Sequence, residues 1–485
     1  MLIPLMTLIS LPIQAPSPDW LVAPVKKHTT VKLDARNGEL SIQNGLAKRT
    51  FVLKPNAACI AFDNLSTGEG MLRGVKPEAT VTLNGKRFDV GGLKGQPDYA
   101  YLNPGWLKQM TADPAAFQFE GYTVGKTVAR FPWKPKRYCE KLAWPPAGAS
   151  LTLRFRPPDS AGLRGLTVSV HYEMYDDIPA MCKWLTVENG TDRPVLLNAF
   201  QSELLAVVER ENAVENTSAL HHAWIHVQSD YAFCGGTIKT SDETTRWLPD
   251  PDFTTQIDYD RQSPCLLTSS PPIGPAAEIS PGGSFETYRE FELLLDSDDR
   301  ERRGLEIRRL QRMMAPWSAE NPIIMHLTAS DSASIRNAVD QCAAVGFEMI
   351  ILSFGSGFNM ESQDSAYLAR VKADVDYAHR KGIEVGGYTL TGSRDAGPGN
   401  NVVAQDVINP KTGKKGAVFG QSPCLASAWS DGYYSRLLNF FKQTGISVIE
   451  DDGSYPGDLC ASTAHAHHRG LNDSQWAQWR TITGF

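Results

Sequence analysis

The sequence predicts a multidomain chain, an all-β sandwich followed by an α/β unit of the TIM-type (β/α)8 barrel kind of which about the first half is present. Three observations carry this. Short alternating runs such as TTVKLDA, ELSIQNG, TVTLNGKRF, SLTLRFRP and LTVSVHYEMY fill the stretch from about Thr29 to Leu295. A strand–helix–strand alternation then takes over, with Gly346, Gly382 and Gly445 each ending a helix one residue before a strand. The fourth of those strands ends on Glu450-Asp451-Asp452.

The 485 residues, 42% hydrophobic and 21% charged, supply enough apolar material for two or three folded units. A net charge of −6 gives no electrostatic reason to expect nucleic acid, which needs clustered Lys and Arg on one face. The opening run MLIPLMTLISLPIQA resembles the apolar core and cleavage end of a secretory signal, although no Lys or Arg precedes it and Pro4 and Pro12 interrupt it. Residues 1–18 are read as a possible signal peptide, and the expected location is secreted or periplasmic. A misplaced start or a buried N-terminal strand are the alternatives. Nothing later approaches the ~18 apolar residues of a membrane span.

Residues 19–295 are read as the β domain. The period-2 runs are separated by Gly, Pro, Asn and Asp, and Asn84-Gly85 between two of them marks a hairpin, because that pair accepts positive φ. Residues 296–318 change period. Leu305, Ile307, Leu310, Met313 and Met314 fall near one face of a helix that Pro316 stops, while Arg and Glu fill the other, as on a solvated linker surface.

From 319 to 485 the strands are PIIMHLT (322–328), FEMIILSFG (347–355), IEVGGYTL (383–390) and ISVIEDDG (446–453). They are near-continuous apolar runs, as expected of a parallel sheet joined by helices, and the glycines sit where a helix C-cap favours the left-handed conformation. These units fit a barrel or an open doubly wound sheet. No GxGxxG or GxxxxGK[ST] follows any strand, which weakens the nucleotide-binding open sheets. Loops rich in polar and aromatic residues follow each strand instead, and barrel active sites are built at that end.

Alternation puts Val448, Glu450 and Asp452 on one face of the fourth strand and Ile449 and Asp451 on the other. If the Val448 face is the interior, Glu450 lies one layer beneath Asp452, and two neighbouring carboxylates suit a nucleophile or a general acid/base. Pairing with Arg or Lys, or capping of the next loop, is the alternative for any one of them. Phe358, Tyr388, Trp429 and Tyr455 occupy or adjoin loop ends, where aromatics stack on the apolar face of a sugar or anchor the loop. Asp458 belongs to the same final loop.

His465, His467 and His468 with Asp458 and Cys460 raise the question of a metal. Their spacing is no established metal pattern, so loop packing or hydroxyl contacts are preferred, and neither a metal nor another cofactor is expected. The eight cysteines contain no CxxC pair. Cys342 reads as core, whereas Cys424 and Cys460 lie on loops and are compatible with a disulfide or a pocket-wall role.

The layout resembles the retaining α-galactosidases of glycoside hydrolase families 27 and 36. The segments that carry the resemblance are NGLAKRTF (44–51), LSTGEGMLRGVKPEATVTLNG (65–85), RGLEIRRLQRMMAPW (303–317), GFEMIILSFGSGF (346–358), YAHRKGIEVGGY (377–388) and GISVIEDDGSYPGD (445–458). It implies a β-supersandwich, a linking helix and a (β/α)8 barrel. It also implies that Asp452 is the catalytic nucleophile, forming a covalent glycosyl-enzyme. Glu450, Asp451, Tyr455, Asp458, Tyr388, Trp429 and Phe358, at or near the strand ends, are read as the contacts of a carbohydrate, an α-galactoside or related α-glycoside.

Two places depart from the family pattern: Glu450 stands where a lysine is usual, and Ser353-Phe354-Gly355-Ser356 replaces the acidic pair after strand two. The family's acid/base aspartate follows strand six, whereas this sequence stops in the helix after strand four. The expectation is therefore a fragment, inactive alone, of an active α-glycosidase. The alternative is a noncatalytic carbohydrate-binding protein with a degenerate barrel.

Overall fold

The structure, a computed structural model, describes residues 19–134, 142–210, 214, 221–231, 243–318, 322–390, 405–415, 423–451 and 458–485. The proposed signal segment and, within the final loop, Asp452 and Tyr455 lie outside the described residues.

The strands described from Thr30 to Leu294 pair antiparallel. A five-stranded sheet runs in sequence order from Thr30–Asp34 to Glu69–Gly70, and a seven-stranded sheet is centred on Leu166–Tyr175 and Ala180–Asn189. Two four-stranded sheets complete the region. Register is fixed by alternation: Leu40 and Ile42 are buried while Glu39, Ser41 and Gln43 are only partly so. Slipping by one residue would exchange those sets. The Asn84-Gly85 turn closes its hairpin with φ of 51° and 80° and pairs Leu83 with Lys86.

Between facing sheets lies one large apolar core that includes Phe51, Phe62, Leu153, Tyr172, Leu185 and Phe200. A charged group sits within it. Arg49 and Lys183 are fully buried, with Arg49 Nη1 donating to Glu203 Oε2 at 2.9 Å and Lys183 Nζ to Glu203 Oε1 at 2.7 Å.

The linking helix spans Arg300–Met314, started by the Asp299 side chain accepting from Arg302 N–H. Its buried face is turned from the one the sequence suggested. Leu305 is 57% exposed, whereas Glu306 is fully buried beside Leu310 and Met314. The reason is a polar network: Arg302 bridges Asp19 and Asp296, Trp20 Nε1 donates to Asp296 at 2.8 Å, and the Asp296 N–H donates to Glu306 at 3.3 Å.

Burial first, and then the neighbouring Asp296 carboxylate, raise the Glu306 carboxyl from 4.5 to about 8. The fold therefore favours protonated Glu306. Its contribution is complete below pH 4.5 and drains away as pH rises towards about 8, because the unfolded chain loses that proton first. Glu306→Gln, which keeps a neutral group there, is expected to flatten the fall of thermal midpoint across this window. Equal slopes for variant and wild type would contradict the assignment.

Beyond the linker, four parallel strands pair in sequence order: Ile324–Leu327, Met349–Leu352, Glu384–Thr389 and Val448–Asp451. The order lacks the reversal of a doubly wound sheet. The sheet is open among the described residues, with no closed barrel. Helices Ser332–Val345, Ser365–Arg380 and Ala428–Thr444 cover one face, their side chains packing on Ile350, Leu352 and Val385. Gly346 and Gly445 cap two of them with φ of 85° and 81°.

The terminal helix, Leu471–Gly484, joins the two regions. Trp476 and Trp479 belong to the large β core, while Phe485 stacks on Tyr434 of the parallel region at 4.3 Å between ring centres.

Candidate functional site at the strand ends

Parallel register decides which residues share a face. Tyr388 pairs with Glu450, Gly386 with both Ile351 and Val448, and Ile351 with His326. Ile324, His326, Ile351, Gly386, Tyr388, Val448 and Glu450 therefore face away from the helices. Glycine at 386 leaves room on this face for its neighbours. A Cβ there would lie 2.6 Å from Ile351 Cδ1 and 3.0 Å from Val448 Cβ, so side chains from the strands on either side converge over it.

The C-terminal rim of this face carries the polar groups. His326 Nε2 lies 3.3 Å from Glu450 Oε1, and His326 Nδ1 lies 3.2 Å from Ser353 Oγ. Glu450 Oε2 is buried and has no hydrogen-bond partner among the described residues. A buried carboxylate oxygen without a donor is costly, so it marks a position where a ligand hydroxyl or ordered water fits. Tyr388 stands in register with Glu450, and Phe354 approaches it edge-on at 5.5 Å. Phe354 is 71% exposed, an apolar surface beside Tyr388.

Other expected site residues are placed differently. Asp451 is in register with Thr389 on the helix-covered face, where Thr389 Oγ1 hydrogen-bonds the Tyr433 hydroxyl. Phe358 packs into the helix layer, edge-on to Phe440 at 5.8 Å. Gly387 makes room for it, since a Cβ there would lie 2.9 Å from the Phe358 ring. Trp429 stacks on Tyr433 at 4.6 Å, so one of its ring faces is occupied. Asp458 begins the segment leading to Cys460, and its carbonyl accepts from Gln478 Nε2 at 3.0 Å. Of the residues assigned to sugar contact, Glu450 and Tyr388 are the two that the described structure brings together on one face.

His326 was not singled out from the sequence, and Ser353 only as part of the segment that replaces an acidic pair. His326 was legible in principle, since it is the last residue but one of an apolar strand, two positions after Ile324, and so shares its face. The histidines of the final loop also separate. His467 Nε2 lies 2.8 Å from Asp431 at the surface, whereas His465 and His468 turn inwards with Cys460 to meet Cys424.

No protein-family model and no curated protein sequence matches the chain. Solved structures do. The α-galactosidase from Lactobacillus brevis superposes with a TM-score of 0.54 at 10% identity, over 93% of this chain and 67% of that one. The GH36 α-galactosidase AgaB from Geobacillus stearothermophilus gives 0.53 at 10% identity, over 94% and 70%. A variant of AgaA from the same organism, solved in complex with raffinose, gives 0.52 at 11% identity, over 92% and 70%. This chain has a glycoside hydrolase-like fold, similar to that of the GH36 α-galactosidases and mostly of β-sheet. At these identities the likeness is one of fold.

Proposed function

We propose that the chain carries the sandwich and the first half of the catalytic barrel of a retaining α-glycosidase of α-galactosidase-like type, with Asp452 as nucleophile. The observation that carries this reading is Glu450. It is a carboxylate at the C-terminal end of the fourth parallel strand, in register with Tyr388 on the face away from the helices, and one of its oxygens is buried with no hydrogen-bond partner among the described residues. Asp452 follows it by two residues and is assigned by the strand-four resemblance.

In the proposed reaction the Asp452 carboxylate attacks the anomeric carbon as the bond to the leaving oxygen breaks, giving a glycosyl ester that water later hydrolyses. Glu450 accepts from sugar hydroxyls, and the Tyr388–Phe354 pair offers an apolar surface to the ring. The carboxyl group that protonates the leaving oxygen is not assigned to a residue of this chain. Export, suggested by the opening apolar run, belongs to the same proposal.

An aryl α-galactoside with a strongly acidic phenol tests the reading, because such a leaving group departs without a proton donor. Wild type is expected to release phenol. Asp452→Asn should lose release by a factor on the order of 10³ or more while still binding sugar. Glu450→Gln should weaken sugar binding by roughly 10–100-fold, the equivalent of about 1.5–3 kcal/mol for a charge-assisted hydrogen bond. Sugar binding by wild type with no phenol release from any α-glycoside would favour the noncatalytic carbohydrate-binding reading.

A further inference from the structure

Cys424, Cys460, His465 and His468 come from two loops that follow different strands, yet their side chains meet in one buried cluster. Four of their ligand-type atoms lie within 4.8 Å of one another. Cys424 Sγ is 3.6 Å from His468 Nε2, Cys460 Sγ is 3.5 Å from His465 Nδ1, and His465 Nδ1 is 3.0 Å from His468 Nε2. A tetrahedral ion with bonds of about 2.3 Å to sulfur and about 2.0–2.1 Å to nitrogen requires S···N edges of about 3.6 Å and an N···N edge of about 3.4 Å. These three edges match that frame to within a few tenths of an ångström.

The surroundings are those of a held metal site. His468 Nδ1 lies 3.0 Å from the Gly470 carbonyl, which only accepts, so Nδ1 carries the proton and the lone pair of Nε2 points into the cluster. The Ile408 N–H donates to Cys460 Sγ at 3.4 Å, a contact that favours a thiolate. Val407 and Ala426 pack around the two sulfurs, with Ala477 against them. An apolar shell disfavours net charge, and two thiolates with two neutral imidazoles bring a divalent ion to neutrality.

We propose that Cys424, Cys460, His465 and His468 form a structural zinc site. A thiolate–imidazole set of this shape selects Zn2+ over hard cations, and four protein ligands leave no open position for catalysis. The ion ties together two segments already in contact, and residues 405–408 are hydrogen-bonded to both. Cys424 N–H donates to the Gln405 carbonyl at 2.7 Å, Ala461 N–H to Ile408 at 2.8 Å, and His467 N–H to Ala426 at 3.3 Å. It thereby pins the loop after the third parallel strand to the loop after the fourth. Binding releases the thiol protons to solvent.

The test is elemental analysis of the full chain purified under reducing conditions with zinc in the medium. About one zinc per chain is expected, falling at least tenfold in Cys460→Ser and His468→Ala but unchanged in His467→Gln, whose histidine faces Asp431. Because the first two variants risk misfolding, Co2+ is titrated into metal-free wild type. Intense visible bands and thiolate-to-cobalt charge transfer, saturating near one equivalent, support the site. Zinc-free wild type without these bands, weak bands of six-coordinate cobalt, or a Cys424–Cys460 disulfide in the isolated protein would each overturn it.

Discussion

Arg49→Ala is expected to destabilise the β region by roughly 3–5 kcal/mol, the usual cost of removing one partner from a buried ion network. Arg49 is fully buried and donates to both carboxylate oxygens of Glu203, at 2.9 and 3.3 Å, and to Glu292 at 3.2 Å. Its guanidinium also lies 5.0 Å from the Tyr172 ring centre and 5.3 Å from that of Phe62.

Burial alone would raise the Glu203 carboxyl, but Arg49 and Lys183 override it and hold the group ionised. Burial, and then the Glu203 charge, push Glu292 well above the usual carboxylate range, so Glu292 keeps its proton. Without Arg49, Lys183 alone would balance Glu203, and a volume the size of a guanidinium would be left empty. Urea unfolding followed by tryptophan fluorescence checks this. A loss below about 1 kcal/mol would mean that the network contributes little, as for a surface ion pair.

Trp476→Ala should cost a similar amount, roughly 3–5 kcal/mol, by opening a cavity where the terminal helix meets the β core. The Trp476 ring lies 5.2 Å from Tyr231, 5.0 Å from Phe285 and 5.9 Å from Phe200 between centres, and 4.8 Å from Trp479. Trp479 Nε1 adds a hydrogen bond to the Asp230 carbonyl at 3.1 Å. The expected signature is twofold: a lower urea midpoint and earlier proteolytic cleavage within residues 471–484. A lower midpoint with unchanged cleavage there would mean that the helix stays docked by its other contacts.

How much of this was legible in the sequence follows from the range over which each signal acts. The βα alternation is local, written in apolar runs and in glycines at 346 and 445, and the parallel strands appear where those signals fall. The faces of the fourth strand follow from a period of two, so the separation of Glu450 from Asp451 was readable. Aromatic roles were not, because a ring at a loop end looks the same whether it faces solvent or packs on a neighbouring residue. Phe358 over Gly387 and Trp429 on Tyr433 are of the second kind.

Periodicity also failed at Glu306, where a hydrogen-bonded carboxyl took a core position that an apolar count gave to Leu305. The Cys–His cluster was hidden for another reason. Cys424 is separated from Cys460 by a helix and a strand, so no short spacing displays it. The docking of the terminal helix on the β core likewise depends on contacts between residues more than two hundred positions apart, such as Trp479 with Asp230.

The central proposal is a carboxylate nucleophile on the fourth strand, and covalent trapping tests it most directly. The chain is incubated with an activated aryl 2-deoxy-2-fluoro-α-galactoside, which slows release of the glycosyl group, and is then digested and mapped by mass spectrometry. One fluoroglycosyl group per chain is expected, carried on Asp452 and lost in Asp452→Asn. A label on another carboxylate, or an unlabelled chain that still binds the sugar, would contradict it.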